Sequence, residues 1–308
     1  MFVVCGEALM DVFGGGDSAH GLLLDARIGG SPLNVAIGLA RLAQPVAFFG
    51  AVSTGFLGQR LMRALREEGV VVDAVTRLDA PTTLGLVGLD EAGVPSYAFY
   101  GHGCADRLLP PSALDRVPAA ARAIHFGSYA MVVEPVAATQ RALVEREHRR
   151  CLIAYDPNIR LNVEPDIQCW RVTLQWMLPR CHLLKVSEED LGLLYPGRAP
   201  AELAREWLAQ GVAAVVVTHG ADGASAWRAG EQLRVEPLAV AVVDTVGAGD
   251  TFQAALLAGL AERGVQSREA LRDMASAPWW QVLQFAARAA AITCSRRGAD
   301  MPRRDELN

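Results

Sequence analysis

The chain is predicted to be an α/β protein with a mostly parallel central sheet and a small additional β-sheet. Three observations lead there. Strand-like apolar runs alternate with helical patterns along most of the 308 residues, the signature of repeated βαβ units. Two stretches, 8–28 and 82–107, break that alternation; they are rich in glycine and strand formers and have no helical period. No shift in composition, repeat or low-complexity tract marks a second independent unit, so residues 1–308 read as one domain with the two stretches forming a lid inserted in it.

The elements follow in order. The apolar run 2–5 is the first strand, and 8–28 supplies the first part of the small sheet. A helix is expected over 32–43 because Leu33, Ala36, Ile37 and Ala40 form one apolar stripe; Ser31 suits its N-cap and Pro32 its first position. Strand 46–52 and helix 57–69 follow. Within 82–107, Leu84 to Leu89, the turn Asp90-Glu91-Ala92-Gly93 and Pro95 to Tyr100 read as a hairpin. Strands 123–126, 151–155, 182–186 and 212–218 are interleaved with helices 134–149, 188–195 and 200–210. A β-branched strand, 238–243, leads into a helix over 250–263, where Phe252, Ala255, Leu256, Gly259 and Leu260 make the buried face; helices 268–274 and 279–294 close the chain. His125, His182, Trp279, Trp280 and Phe285 fall in apolar patterns and read as core.

Composition narrows the function. With 51% hydrophobic residues a sizeable core forms, and a net charge of −5 argues against a nucleic-acid or anionic-membrane partner. The arginines are scattered and Lys185 is the only lysine. Six cysteines show neither Cys-x-x-Cys nor metal-ligand spacing, the usage of a reducing cytoplasm. No signal peptide precedes the first strand and no apolar run reaches the length of a membrane span, so a cytoplasmic location is expected.

The most informative stretch is Asp244-Thr-Val-Gly-Ala-Gly-Asp250. A Gly-Ala-Gly turn between a strand and a helix leaves backbone N–H groups unpaired at the helix start, and those donors together with the helix dipole suit a phosphate. Asp250 at the mouth of such a site would repel a resting phosphate. It makes better sense as a base that takes a proton from an attacking hydroxyl, which points to phosphoryl transfer to an alcohol. A second constellation, Gly29-Gly-Ser-Pro-Leu-Asn34, runs a glycine turn into a helix. Glycine lets a ligand approach the backbone closely, and the Asn34 amide both donates and accepts, which suits a polyol. Asp11, after the Gly6-Glu7 break, is placed to accept from vicinal hydroxyls.

These two constellations together resemble the ribokinase-like (PfkB-type) carbohydrate kinases, over essentially the whole chain. The resemblance implies a three-layer α/β/α fold with a β-sheet lid that also forms a homodimer contact. It implies Asp250 as catalytic base, with the N–H groups of Gly247, Ala248 and Gly249 as the anion hole for the transferring phosphoryl group. Asp11, Gly29, Gly30 and Asn34 would hold the sugar, together with Tyr97, Phe99 and His102 from the lid. Thr218-His-Gly220-Ala-Asp-Gly223 resembles the nucleotide-phosphate loop, reached also by Ser187, and Phe285 to Ala291, including Ala287, would pass beside the adenine of ATP. Asp244, the Val246 carbonyl and Thr293 to Gly298 resemble the loops that hold potassium. Asp156-Pro-Asn-Ile-Arg160 places Arg160 near the transferring group, where a guanidinium clamps an oxyanion. These segments, with Gly6-Glu-Ala-Leu-Met-Asp11, Lys185-Val-Ser-Glu-Glu-Asp190 and Tyr97-Ala-Phe-Tyr100, look most like those of bacterial fructokinases. The neighbouring readings are 2-keto-3-deoxygluconate kinase and ribokinase.

The chain departs from the family pattern in three places, one of them Gly55, where an Asp is frequent before Phe56. The magnesium-linked Asn-x-x-Glu is here Ser187-Glu-Glu-Asp190; Asp190 would order a hydrated Mg2+ ion, with Glu189 as its rival. After Tyr100, where many relatives carry a sugar-contacting arginine, the chain has Gly101-His102-Gly103. With no guanidinium there, a neutral sugar is favoured over an acidic one. Rival classes are weaker. An NAD-dependent dehydrogenase would use Gly14-Gly-Gly16-Asp-Ser-Ala19, but no helical pattern follows it; a Walker-type site fails because Lys185 lacks the Gly-Lys-Ser/Thr setting. A silent sugar-binding regulator on the same fold has no reason to keep Asp250 and the intact glycine turn.

Overall fold

The computed structural model describes residues 1–89 and 95–307. In chain order the elements are β1 (Phe2–Cys5), β2 (Leu9–Ser18), β3 (Gly21–Gly29), α1 (Ser31–Arg41), β4 (Val46–Ser53), α2 (Phe56–Glu67), β5 (Val75–Leu78), β6 (Leu84–Leu89), β7 (Pro95–Tyr100), β8 (Ala123–Gly127) and α3 (Val136–Glu147). Then come β9 (Leu152–Asp156), α4 (Ile167–Met177), β10 (Leu183–Ser187), α5 (Glu188–Leu194), α6 (Pro200–Ala209), β11 (Ala214–Thr218), β12 (Ala224–Arg228), β13 (Glu231–Val235), α7 (Ala248–Glu262), α8 (Arg268–Asp273) and α9 (Ser276–Cys294).

Nine strands form the main sheet in the order β13-β12-β11-β10-β9-β8-β1-β4-β5, and four form the lid sheet in the order β3-β2-β6-β7. From β5 to β11 every pairing is parallel; β12 and β13 add an antiparallel edge. The central strands β1, β4, β8 and β9 are buried on both faces, as parallel strands covered by helices must be. Alternate residues feed two cores: Phe2 and Val4 pack toward α1, α2, α7 and α9, while Val3 and Cys5 pack toward α3 to α6. The chain steps outward from β1 through β4 to β5, then returns to β8 and runs the other way. The crevice lies at the carboxyl ends beside that reversal, where open α/β sheets bind ligands.

Several expectations change. Residues 238–243 form no strand: the edge beside β11 is taken by the β12–β13 hairpin, and Leu238, Val242 and Val243 are exposed. Strands β5, β12 and β13 and helix α4 had no place in the sequence reading. Ser31 is the first helical residue of α1 rather than its N-cap; Gly30 holds the cap position at φ 105°, which frees the Ser31 hydroxyl for another partner. Trp279 is core but Trp280 is exposed. The Gly14–Ala19 stretch lies at the β2–β3 hairpin, so the strand–turn–helix that a dinucleotide fingerprint needs is absent there. The Asp90–Gly93 turn and the side chain of Tyr97 lie outside the described residues. Among the described residues no helix is long and apolar enough to cross a membrane.

Candidate active site

Helix α7 is the buried axle of the molecule. Residues Thr251–Leu260 are all buried, with α1 and α9 against it; Gly38 lets α1 approach so closely that a Cβ there would lie 2.7 Å from the Ala254 methyl. Its N-terminus is half-exposed and opens into the crevice. Gly247 caps it in the left-handed region at φ 77°, with Ala299 where a Cβ would stand. The N–H of Ala248 turns back to the Thr245 carbonyl at 3.2 Å. Among the described residues no acceptor meets the N–H groups of Gly247, Gly249 or Asp250, so of the three donors the sequence suggested only that of Ala248 is already spent.

The Asp250 carboxylate is held at both oxygens. Ser31 Oγ donates to Oδ1 at 2.6 Å and Asn34 Nδ2 donates to Oδ2 at 2.8 Å. Asn34, expected among the sugar ligands, is thus 9% exposed and turned to the candidate base. Helix α1 therefore aims α7's first acid, across 216 residues of sequence.

Opposite this, the lid presents Asp11. Asp11, Gly85 and Phe99 stand in register across β2, β6 and β7. Laterally paired residues share a sheet face, so one face carries all three. The carboxylate lies flat between two glycines: a Cβ on Gly29 would sit 2.1 Å from Oδ2, and one on Gly85 would sit 3.0 Å from Oδ1. Among the described residues no hydrogen-bond donor reaches it. Burial pushes its carboxyl up to about 6, with Arg160 pulling it down and Asp250 pushing it up. Arg160 itself is exposed, following the positive-φ Asn158 in the β9–α4 loop. His102 is exposed on the turn after β7.

A charged cluster at the ends of β9 and β10 underlies the glycine turn. Lys185 Nζ lies 2.8 Å from Asp156 Oδ2, both side chains almost fully buried. The same ammonium stands 3.2 Å from where a Cβ on Gly249 would be. Burial opposes the Lys185 charge, but Asp156, then Asp190 and Asp250, outweigh it and hold its pKa above the ordinary value. Asp190 is buried, and its Oδ1 accepts the Ile159 N–H at 3.1 Å; Glu189 points to solvent. Ser187 caps α5. Lys185 escaped the sequence reading, which tested it only against a Walker motif. Its signal was that a chain with one lysine placed it inside an apolar strand.

The remaining loops converge on the same edge. Thr218 ends β11, and the turn to Gly223 depends on glycine, since a Cβ there would meet the Val235 carbonyl at 2.2 Å with φ 85°. His219 is locked between Glu188 and Ser225, each at 2.9 Å. Asp244 ties two loops together, accepting from Val246 N–H at 3.0 Å and from Gly298 N–H at 2.8 Å. The Thr293 hydroxyl is not open to that loop: it is fully buried and paired with Thr251 at 2.9 Å. Ala287 is half-buried on α9.

One inference from the sequence fails. A guanidinium does stand at residue 101, supplied by Arg107: a Cβ on Gly101 would lie 2.1 Å from its Nη2. The argument against an acidic sugar therefore lapses.

The family model described as pfkB family carbohydrate kinase matches residues 2–305. The chain belongs to that family. This kinase is 34% identical to a fructokinase of Rhizobium leguminosarum bv. trifolii over 84% of its own length and 79% of that protein's. It superposes on the fructokinase of Xylella fastidiosa with bound ATP at a TM-score of 0.87 and 27% identity, covering 99% of this chain and 96% of that one. The fructokinase of Vibrio cholerae O395 in its fructose-, ADP- and calcium-bound form gives 0.82 at 25% identity, covering 99% and 97%. The kinase thus has the ribokinase-like architecture, and as a phosphotransferase it needs an acceptor hydroxyl facing a base beside an anion hole.

Proposed function

We propose that this kinase transfers the γ-phosphoryl group of ATP to D-fructose, giving fructose 6-phosphate. The observation that carries the reading is the Asp250 carboxylate, fixed at both oxygens by Ser31 and Asn34 beside unpaired N–H groups and facing the open Asp11 carboxylate. A sugar spanning that gap would place one hydroxyl on Asp250 while Asp11 accepts from others. Asp250 takes the proton from the attacking hydroxyl. The N–H groups of Gly247, Gly249 and Asp250 stabilise the charge on the transferring group, and the Lys185 ammonium lies behind them. Arg160 faces the same space from the opposite strand end. The relatives named fructokinase support fructose as the acceptor.

Magnesium fits this site. Asp190 and the buried, unpartnered Oδ1 of Asp156 are oxygen donors at the strand ends, suited to a hydrated ion, which would neutralise the phosphate chain. A potassium ion would be held by main-chain carbonyls around Val246 and between Thr293 and Gly298, with the Asp244 carboxylate tying these two loops together through the Val246 and Gly298 N–H groups. The phosphates of ATP would lie along Ser187 and the Thr218–Gly223 turn, including Gly220, with the adenine beside Ala287. We also propose a homodimer through the lid and a cytoplasmic location. The dimer rests on β3, an edge strand whose Leu22, Leu23 and Leu24 are 58%, 59% and 53% exposed; a monomer by light scattering at micromolar concentration refutes it.

Arg107 favours one second reading, an acidic keto-sugar such as 2-keto-3-deoxygluconate, because a guanidinium pairs a carboxylate. ADP release with ATP and magnesium is measured across fructose, ribose, 2-keto-3-deoxygluconate and tagatose. Turnover led by fructose supports the assignment. Turnover led by another sugar keeps the mechanism and replaces the substrate, and sugar binding without turnover returns the reading to a silent binder.

A further inference from the structure

We infer that Arg107 is a specificity-determining residue, whose guanidinium reads the end of the sugar remote from Asp250; this rests on the kinase reading above and deepens it. The side chain leaves the turn after Cys104 and folds back over Gly101, at the end of β7. There is no space for a Cβ: it would lie 2.1 Å from Nη2, 2.5 Å from Cζ and 2.7 Å from Nε. The guanidinium rests on the ring of Tyr129 at 5.3 Å to the centroid, in the segment after β8 beside the crevice.

Its polar groups are unspent. Nε is buried with no hydrogen-bond partner, and among the described residues no carboxylate or carbonyl accepts from Arg107. The neighbouring Asp106 is not its partner. That buried carboxylate accepts from Thr83 Oγ1 at 2.6 Å and from Tyr129 Oη at 2.9 Å, which satisfies each oxygen from another direction. A guanidinium held against a glycine and an aromatic ring, with its fork unpaired, is pre-organised for oxygen acceptors of a ligand. The ligand in reach is the sugar. β7 pairs β6, and β6 pairs β2, so Gly101 follows directly on the strand whose Phe99 stands in register with Gly85 and Asp11. Asp250 occupies the other wall, leaving Arg107 to the oxygens at the far end: the anomeric hydroxyls of a ketose, or the carboxylate of a keto acid.

The test compares wild type, Arg107→Met, Gly101→Ala and the double variant by steady-state kinetics, with fructose binding in the absence of ATP measured by calorimetry. Arg107→Met is expected to raise the KM for fructose about ten-fold or more while kcat and the KM for ATP stay within about two-fold. Gly101→Ala should raise it similarly by expelling the guanidinium, and the double variant should be no worse than Arg107→Met alone. The same order should hold for the binding constants, which need no turnover. Thus a wild type that binds fructose without phosphorylating it breaks the kinase reading and leaves this inference standing on the calorimetry. An unchanged sugar KM and binding constant in Arg107→Met overturns it, as do two single effects that simply add in the double variant. Arg107→Lys, which keeps the charge and loses the fork, should bind between wild type and Arg107→Met.

Discussion

On the platform wall of the crevice each charged side chain already has a partner in the protein. Asp250 holds Ser31 and Asn34, Lys185 holds Asp156, and Asp190 holds the Ile159 N–H. On the lid wall two groups have no hydrogen-bond partner among the described residues: Asp11 lies between two glycines without a donor, and Arg107 lies on a third without an acceptor. The difference divides the labour. Side chains that must be aimed for chemistry are fixed before any ligand arrives, so they cost little reorganisation at the reaction step. Side chains that recognise the sugar are left unsatisfied, so a sugar supplies what they lack and a wrong one leaves them buried and unpaired.

If that division holds, the largest effect belongs to the platform. Asp250→Asn is expected to lower kcat about a thousand-fold or more with sugar affinity retained, measured by ADP release and calorimetry; turnover near wild type would remove the base from the scheme. Lys185→Met should come next and act on stability as well as rate. Leaving Asp156 buried and unpaired costs about 3–5 kcal/mol in unfolding free energy, and denaturant titration of Lys185→Met against Lys185→Met/Asp156→Asn should show much of it restored in the double variant.

The lid should respond in KM alone. Gly29→Ala puts a methyl where Asp11 Oδ2 now lies, and a KM for sugar raised about ten-fold with kcat near wild type is expected. If kcat falls as far as KM rises, the two walls are not separable. The smallest effect is one of pH. Because the free Asp11 carboxyl titrates near 6, above its ordinary value, it is protonated below that pH and offers sugar hydroxyls one acceptor fewer. kcat/KM for the sugar should therefore rise with pH through about 6, and the inflection should vanish in Asp11→Asn. A wild-type profile flat from about pH 5 to about pH 8 would contradict this.

Much of the platform was legible because its signals are local. A glycine turn running into an apolar helix at Asp250 carries the anion site, and period-two and period-3.6 patterns carry most of the layers. What was hidden depends on contacts distant in sequence. Nothing near Asn34 shows that its amide turns to Asp250, and nothing near Gly101 shows that Arg107 folds back over it. The stretch 238–243 misled for the same reason: its β-branched run is strand-like locally, but the sheet edge it would need is covered by β12 and β13. Helix α4 was missed although its N-cap signal was present, for Asp166 accepts the Gln168 N–H at 2.9 Å.

The solitary lysine has a practical consequence. The folded surface offers amine-selective acylating reagents no lysine side chain, since Lys185 is only 4% exposed. Acylation at Lys185 then requires the ends of β9 and β10 to open, and its rate, followed by mass spectrometry, is a clock for that opening. Ligands that close the crevice should slow it, so one amine reports on the closed and open states of the whole molecule.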